Sequence, residues 1–93
     1  MVKTTKKEDK VWATFTFPAS DDAKSVYVVG EWSEWANEPM KKKKNGEYAI
    51  TKIFNAGERF EFGYRVNGEI WQKDESLPSI PSPFESENSL LIL

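Results

Sequence analysis

The sequence predicts an all-β fold, a sandwich of about seven short antiparallel strands with no helix of note. Three observations carry that expectation. Residues 11–17 and 60–66 alternate apolar and polar side chains with a period of two. Asn-Gly pairs at Asn45-Gly46 and Asn67-Gly68 separate strand-like runs, the pattern a tight hairpin turn requires. No stretch places apolar residues at helical spacing.

Each element follows in order. Residues 1–9 are polar throughout and read as a flexible lead-in, leaving residues 10–93 as a single sandwich domain. From Lys10, Val11, Ala13, Phe15 and Phe17 share one side of a strand that Pro18 ends. Residues 25–29, SVYVV, are long enough for a strand and too short for a helix, and Gly30 closes them. Residues 31–39 are irregular and hold Trp32 and Trp35. Residues 40–44 and 47–54 flank Asn45-Gly46 as a hairpin with a type I′ turn. Asn55-Ala56-Gly57 makes the next turn, and residues 59–66, RFEFGYRV, the most regular strand. Asn67-Gly68 turns into a short strand with Trp71. Residues 74–87, with Pro78, Pro81 and Pro83, read as a loop, and residues 89–93 as a last strand. The expected core is Val11, Phe15, Phe17, Val26, Val28, Ile50, Phe60, Phe62, Tyr64, Val66, Leu90 and Ile92.

Composition narrows the function. The chain has no Cys and no His, which excludes thiolate metal sites, Cys nucleophiles, Ser-His-Asp triads and imidazole acid–base chemistry. No metal or cofactor site is expected, and the chain is not expected to be an enzyme. The net charge of −2 gives no general pull toward nucleic acid or anionic membrane, so neither is an expected partner. No apolar run is long enough to span a bilayer and the first residues lack a signal-peptide core, so the expected location is cytoplasmic. The lysines at 41–44 read as a solvated strand edge that blocks aggregation, and the scattered carboxylates as surface solubility, with Asp74 folding back on its own turn.

The tryptophans are the informative residues, because exposed indoles are enriched at binding sites. Trp12, inside a strand, reads as structural and Trp32 as a seal on the end of the sandwich. Trp35 and Trp71 read as exposed for binding.

Taken in order, VWATFTFP, SVYVVGEWSEW, PMKKKKNGEYAI, NAGERFEFGYRVNGEIWQKD and ENSLLIL resemble a known pattern. It is that of the N-terminal domain of isoamylase and the glycogen-binding module of the AMP-activated protein kinase beta subunit. The resemblance runs from Val11 to the last residue. It implies an early-set immunoglobulin-like carbohydrate-binding domain for α-1,4/α-1,6 glucans such as glycogen, starch and maltooligosaccharides. Matched by position, it implies that Trp35 and Trp71 stack on sugar rings and that Asn88 contacts sugar hydroxyls. Ser86 is the expected loop group beside Asn88, and Trp32 takes the place of an inward-packing Phe. Gly63 stands where binding members carry Lys or Arg, and Arg65, two residues on, is the expected substitute; Asn67 replaces an Asp and Ser33 an Asn. The rival expectation is a protein-interaction or accessory domain of a glycogen-metabolism enzyme that has lost sugar binding. On either reading the chain is expected to be a monomer.

Overall fold

The alternation of Lys10–Phe17 places Val11, Ala13, Phe15 and Phe17 on one side, all buried, and Trp12, Thr14 and Thr16 on the other. Alternation in Arg59–Val66 buries Phe62, Tyr64 and Val66 against them. The rings of Phe15 and Phe62 meet at 5.2 Å and those of Phe17 and Tyr64 at 5.4 Å, so the two segments face each other from opposite layers. The architecture, from a computed structural model that describes residues 1–18, 20, 22–81 and 87–93, is a sandwich of two antiparallel sheets. It is all-β, as the sequence predicts, and compatible with an immunoglobulin-like arrangement.

Among the described residues there are ten strands and a single 3-10 turn. They are β1 (Val2–Lys7), β2 (Lys10–Phe17), β3 (Val26–Gly30), β4 (Glu38–Pro39), β5 (Lys41–Lys42), β6 (Tyr48–Asn55), β7 (Arg59–Val66), β8 (Ile70–Gln72), β9 (Ser79–Pro81) and β10 (Glu87–Ile92); the 3-10 turn is Glu31–Ser33. One sheet has the order β1-β2-β6-β5 and the other β4-β3-β7-β10-β9, with β8 also pairing β7. No helix among the described residues is long and apolar enough to cross a membrane.

Several elements differ from the sequence expectation. Residues 2–7 form an edge strand, paired with β2 from Val2↔Phe15 to Lys7↔Lys10. Nearly every side chain of β1 is exposed, so it carries no apolar signal of its own. The span expected as a loop contains β9, an edge strand whose Pro81 is tolerated because an edge does not need every N–H. The expected strand at 40–44 shortens to β5, with Met40 buried beneath it.

The hairpin at Asn45-Gly46 exists, but its turn is different. Gly46 N–H donates to the Lys43 carbonyl, Lys43 N–H to the Glu47 carbonyl, and only Gly46 of the pair has a positive φ, +90°. That is a three-residue loop with glycine in the left-handed position rather than a type I′ turn. The Asn67-Gly68 turn does have both residues left-handed, at φ +56° and +74°. Asn67 also ties down the approach to β3: its Oδ1 accepts from Lys24 N and Ser25 N, and its Nδ2 donates to the Asp22 carbonyl.

The expected core is corrected at Leu90 and Ile92, and Ile50 and Phe60 are only half-buried against it. In β10 the buried residues are Asn88, Ser89 and Leu91, while Leu90 is half-buried and Ile92 is 66% exposed. The run SLLIL is apolar on both faces, so periodicity cannot set its register; pairing of Ser89 with Phe62 does. Trp12 faces outward from β2 beside Ile53 and is 36% exposed, so it does not fill the core.

Candidate functional site

The outer face of the β7 sheet collects the residues that the sequence singles out. Its construction begins at the end of β3. Trp32 drops inward onto Phe15, Phe54, Phe60 and Phe62, with ring centroids 5.2–5.8 Å away. This seals the sandwich, as expected for Trp32. Gly30 makes room, since a Cβ there would stand 2.6 Å from Trp32 Cη2. The indole N–H donates to Glu38 Oε1 at 2.5 Å, and Glu38 Oε2 pairs with Lys52, closing that flank.

The chain then reverses. Glu34 and Trp35 both adopt the left-handed region, φ +56° and +65°, and Trp35 N–H returns to the Gly30 carbonyl at 3.0 Å. Left-handed backbone costs a non-glycine residue of the order of 1–3 kcal/mol, and such strain clusters at functional sites. Here it carries the Trp35 side chain out to the face of the second sheet, where it is 42% exposed.

Trp71 comes from the other direction. Cross-strand pairing sets it opposite Arg65, on the face that β7 turns to solvent. Its ring lies 6.4 Å from that of Trp35, the planes tilted by 51°. Its Nε1–H donates to the Glu87 carbonyl at 3.0 Å, which tethers β8 to β10. The Arg65 guanidinium lies over the Trp71 ring, Cζ 5.7 Å from the centroid, and Nη1 donates to Asn37 Oδ1 at 2.7 Å. Asn37 belongs to the loop that carries Trp35, so Arg65 clamps the two tryptophan-bearing segments together.

Gly63 takes on a different meaning in this setting. A Cβ at 63 would stand 2.6 Å from Trp71 Cε2, closer than Cβ atoms come to neighbouring atoms. The bare backbone is the floor on which the indole lies, an aromatic covering a strand glycine. The missing cation and the placement of Trp71 are therefore one feature.

Asn88 lies on the same sheet but is 7% exposed, and its Nδ2 donates to Glu61 Oε1 at 3.3 Å. Glu61 N–H in turn donates to Glu31 Oε1 at 2.5 Å. The structure thus brings Trp35, Trp71 and Arg65 together, and sets Asn88 into a polar network behind them. Ser86 lies outside the described residues. Asn37, Glu61 and Glu31 were not singled out by sequence reasoning; each is an ordinary polar residue until the β3–β7–β10 pairing assembles them. For Gly63 a signal existed, because a glycine inside a regular strand marks a close approach.

A concavity lined by Lys10, Glu31, Trp32, Glu38, Lys52 and Glu58 includes neither Trp35 nor Trp71. Among the described residues, no group of three or more metal-ligating side chains is gathered. No protein-family model matches the chain, and no curated protein matches it.

Proposed function

We propose that the face bearing Trp35 and Trp71 is a non-catalytic binding platform for α-glucans such as glycogen, starch or maltooligosaccharides. The observation that carries the reading is the indole pair itself: two adjacent tryptophans on one sheet face, 6.4 Å apart and tilted by 51°. Apolar C–H faces of glucose rings pack on indoles, and a chain that curves turns its successive ring faces through an angle. A flat β-linked chain presents parallel faces and suits a coplanar pair. Arg65 supplies charge-assisted donors beside the stack. The likeness of the segment order to the isoamylase and kinase-beta modules points the same way. The domain works on this reading as a cytoplasmic monomer without a cofactor.

The contact is shallow, and stacking contributes about 0.5–1.5 kcal/mol per aromatic contact, so affinity falls between about mM and tens of μM. The test is a titration with β-cyclodextrin or maltoheptaose, with cellobiose as control, followed by NMR of the indole N–H signals. Saturable shifts at Trp35 and Trp71 with the α-glucans alone are expected, and Trp35→Ala/Trp71→Ala should abolish them without loss of fold. An unchanged titration in the double variant rejects this site.

One observation favours the second reading, a protein-interaction or accessory domain of a glycogen-metabolism enzyme. Arg65 already engages Trp71 and Asn37, and Asn88 is buried against Glu61, so the groups that would read hydroxyls have partners of their own. Absence of any response to α-glucan at about 10 mM would leave affinity weaker than that scale and select this alternative.

A further inference from the structure

We propose that the opposite face of the molecule, the outer surface of the β1-β2-β6-β5 sheet, docks on an anionic lipid bilayer. Strand register defines that face. Lys3 pairs Thr14 and Thr51, Lys7 pairs Lys10 and Asn55, Trp12 pairs Ile53, and Lys41 pairs Ala49. Directly opposed residues share a side, so Lys3, Lys7, Lys10 and Lys41 all stand on the face that carries Trp12 and Ile53. The face measures roughly 14 by 20 Å from strand spacing and rise. Among the described residues, no acidic side chain occupies a strand position on it; Glu8 and Asp9 lie beyond one end, in the β1–β2 turn, and Glu47 just before β6.

Trp12 and Ile53 form a row across the two central strands, 36% and 58% exposed. Edge lysines that guard against aggregation would account for Lys3, Lys7 and Lys41. They do not account for Lys10 on β2, nor for two large apolar side chains left in water between the lysines.

The arrangement favours a planar anionic surface over other polyanions. A single nucleic-acid strand is held by a line of cations beside several stacking rings; here cations spread over the face and only Trp12 offers a ring. Protein interfaces are enriched in Arg and Tyr and depleted of Lys, the reverse of this face. A bilayer takes Trp at the headgroup level and attracts lysine to its phosphates without demanding register. The expectation of no membrane partner rested on the net charge of −2, a sum that is silent on where the charges lie.

The experiment is sedimentation of the full chain with phosphatidylcholine vesicles, with and without phosphatidylserine, at low salt. Binding to the phosphatidylserine vesicles alone, lost as salt rises, is expected. Each lysine neutralised should weaken it roughly fivefold, the equivalent of about 1 kcal/mol per charge. Lys3→Glu/Lys41→Glu should therefore abolish sedimentation and Trp12→Thr weaken it, whereas Trp35→Ala/Trp71→Ala should leave it intact. Lys43→Glu/Lys44→Glu, outside the strands, should change it less. No binding to phosphatidylserine vesicles overturns the proposal. So does equal loss in both lysine pairs, or tighter binding of oligothymidylate than of vesicles, which would reassign the face to nucleic acid.

Discussion

Trp71 leans across the backbone of Gly63, and the two residues cannot be considered apart. Alanine at 63 puts a Cβ into the indole, so Gly63→Ala should destabilise the fold by about 1–3 kcal/mol, as overpacking does. With Trp71 removed the collision is gone, and the ordinary preference of a strand for Ala over Gly, about 0.5–1 kcal/mol, takes over. Gly63→Ala should therefore change sign between the wild-type and Trp71→Ala backgrounds in urea unfolding. A neutral effect in the wild type would show that the indole is not seated on Gly63. By the same geometry, Gly63→Lys displaces Trp71, so it should weaken α-glucan binding in the titration above rather than strengthen it.

At the scale of elements, one carboxylate holds several strands together. Asp74 follows β8 and is 3% exposed. Its Oδ2 accepts from Tyr64 OH of β7 at 2.8 Å and meets the chain's amino group at 2.7 Å, while Oδ1 accepts from Ser76 N and Oγ. Its own N–H donates to Ser89 Oγ of β10. Asp74 does fold back on its own turn, as expected, and it also joins β7, β10 and the residue that precedes β1. Burial pushes the carboxyl up, but hydrogen bonds from the amino group, Ser76 and Tyr64 outweigh it and hold it below its ordinary value of 3.8. Burial first, then the Asp74 charge and hydrogen bond, raise the Tyr64 phenol.

A carboxyl depressed in the folded state contributes stability that is complete above its unfolded value and is lost as pH falls through the folded one. Wild type should therefore keep this contribution down to about pH 4 and lose it below that. Asp74→Asn should cost about 1–3 kcal/mol at neutral pH and flatten the acid limb of the stability profile. Urea midpoints across pH 2–7 check this; parallel acid limbs for the two proteins would reject it.

For the whole molecule, stability rests on one aromatic core without a disulfide, Trp32 and Phe54 standing among the contacts that join the layers. The sheets differ in exposure at their edges. β2 pairs β6 across eight residues and β1 across six, whereas β1 and β9 are edges with mostly exposed side chains. Hydrogen exchange should follow that order, with the amides of the β2–β6 ladder opening only by global unfolding and β1 amides exchanging orders of magnitude faster. Protection of β1 equal to that of β6 would mean that the edge is part of the cooperative unit. The two outer faces are equally unlike: one holds the indole pair with Arg65, the other the lysines around Trp12, so binding at either is separable by mutation.

The strands of strict period two were legible from residues alone, because alternation in β2 and β7 has one burial solution when a sheet packs on one side. The Asn67-Gly68 turn was legible for a local reason, and so was the inward seat of Trp32 from the motif around it. β1 was not, since a polar edge strand differs from a loop only by its partner. The register of β10 was not, since every residue of its run could face inward. Trp35 could be named as exposed, whereas Trp71 is half-buried, and their separation, their tilt and the need for Gly63 beneath Trp71 arise from the pairing of β3, β7 and β8. Charge behaves likewise. Composition carries the sum, and only strand register brings Lys3, Lys7, Lys10 and Lys41 onto one face, because side-chain direction in a sheet is a property of pairing and not of any residue by itself.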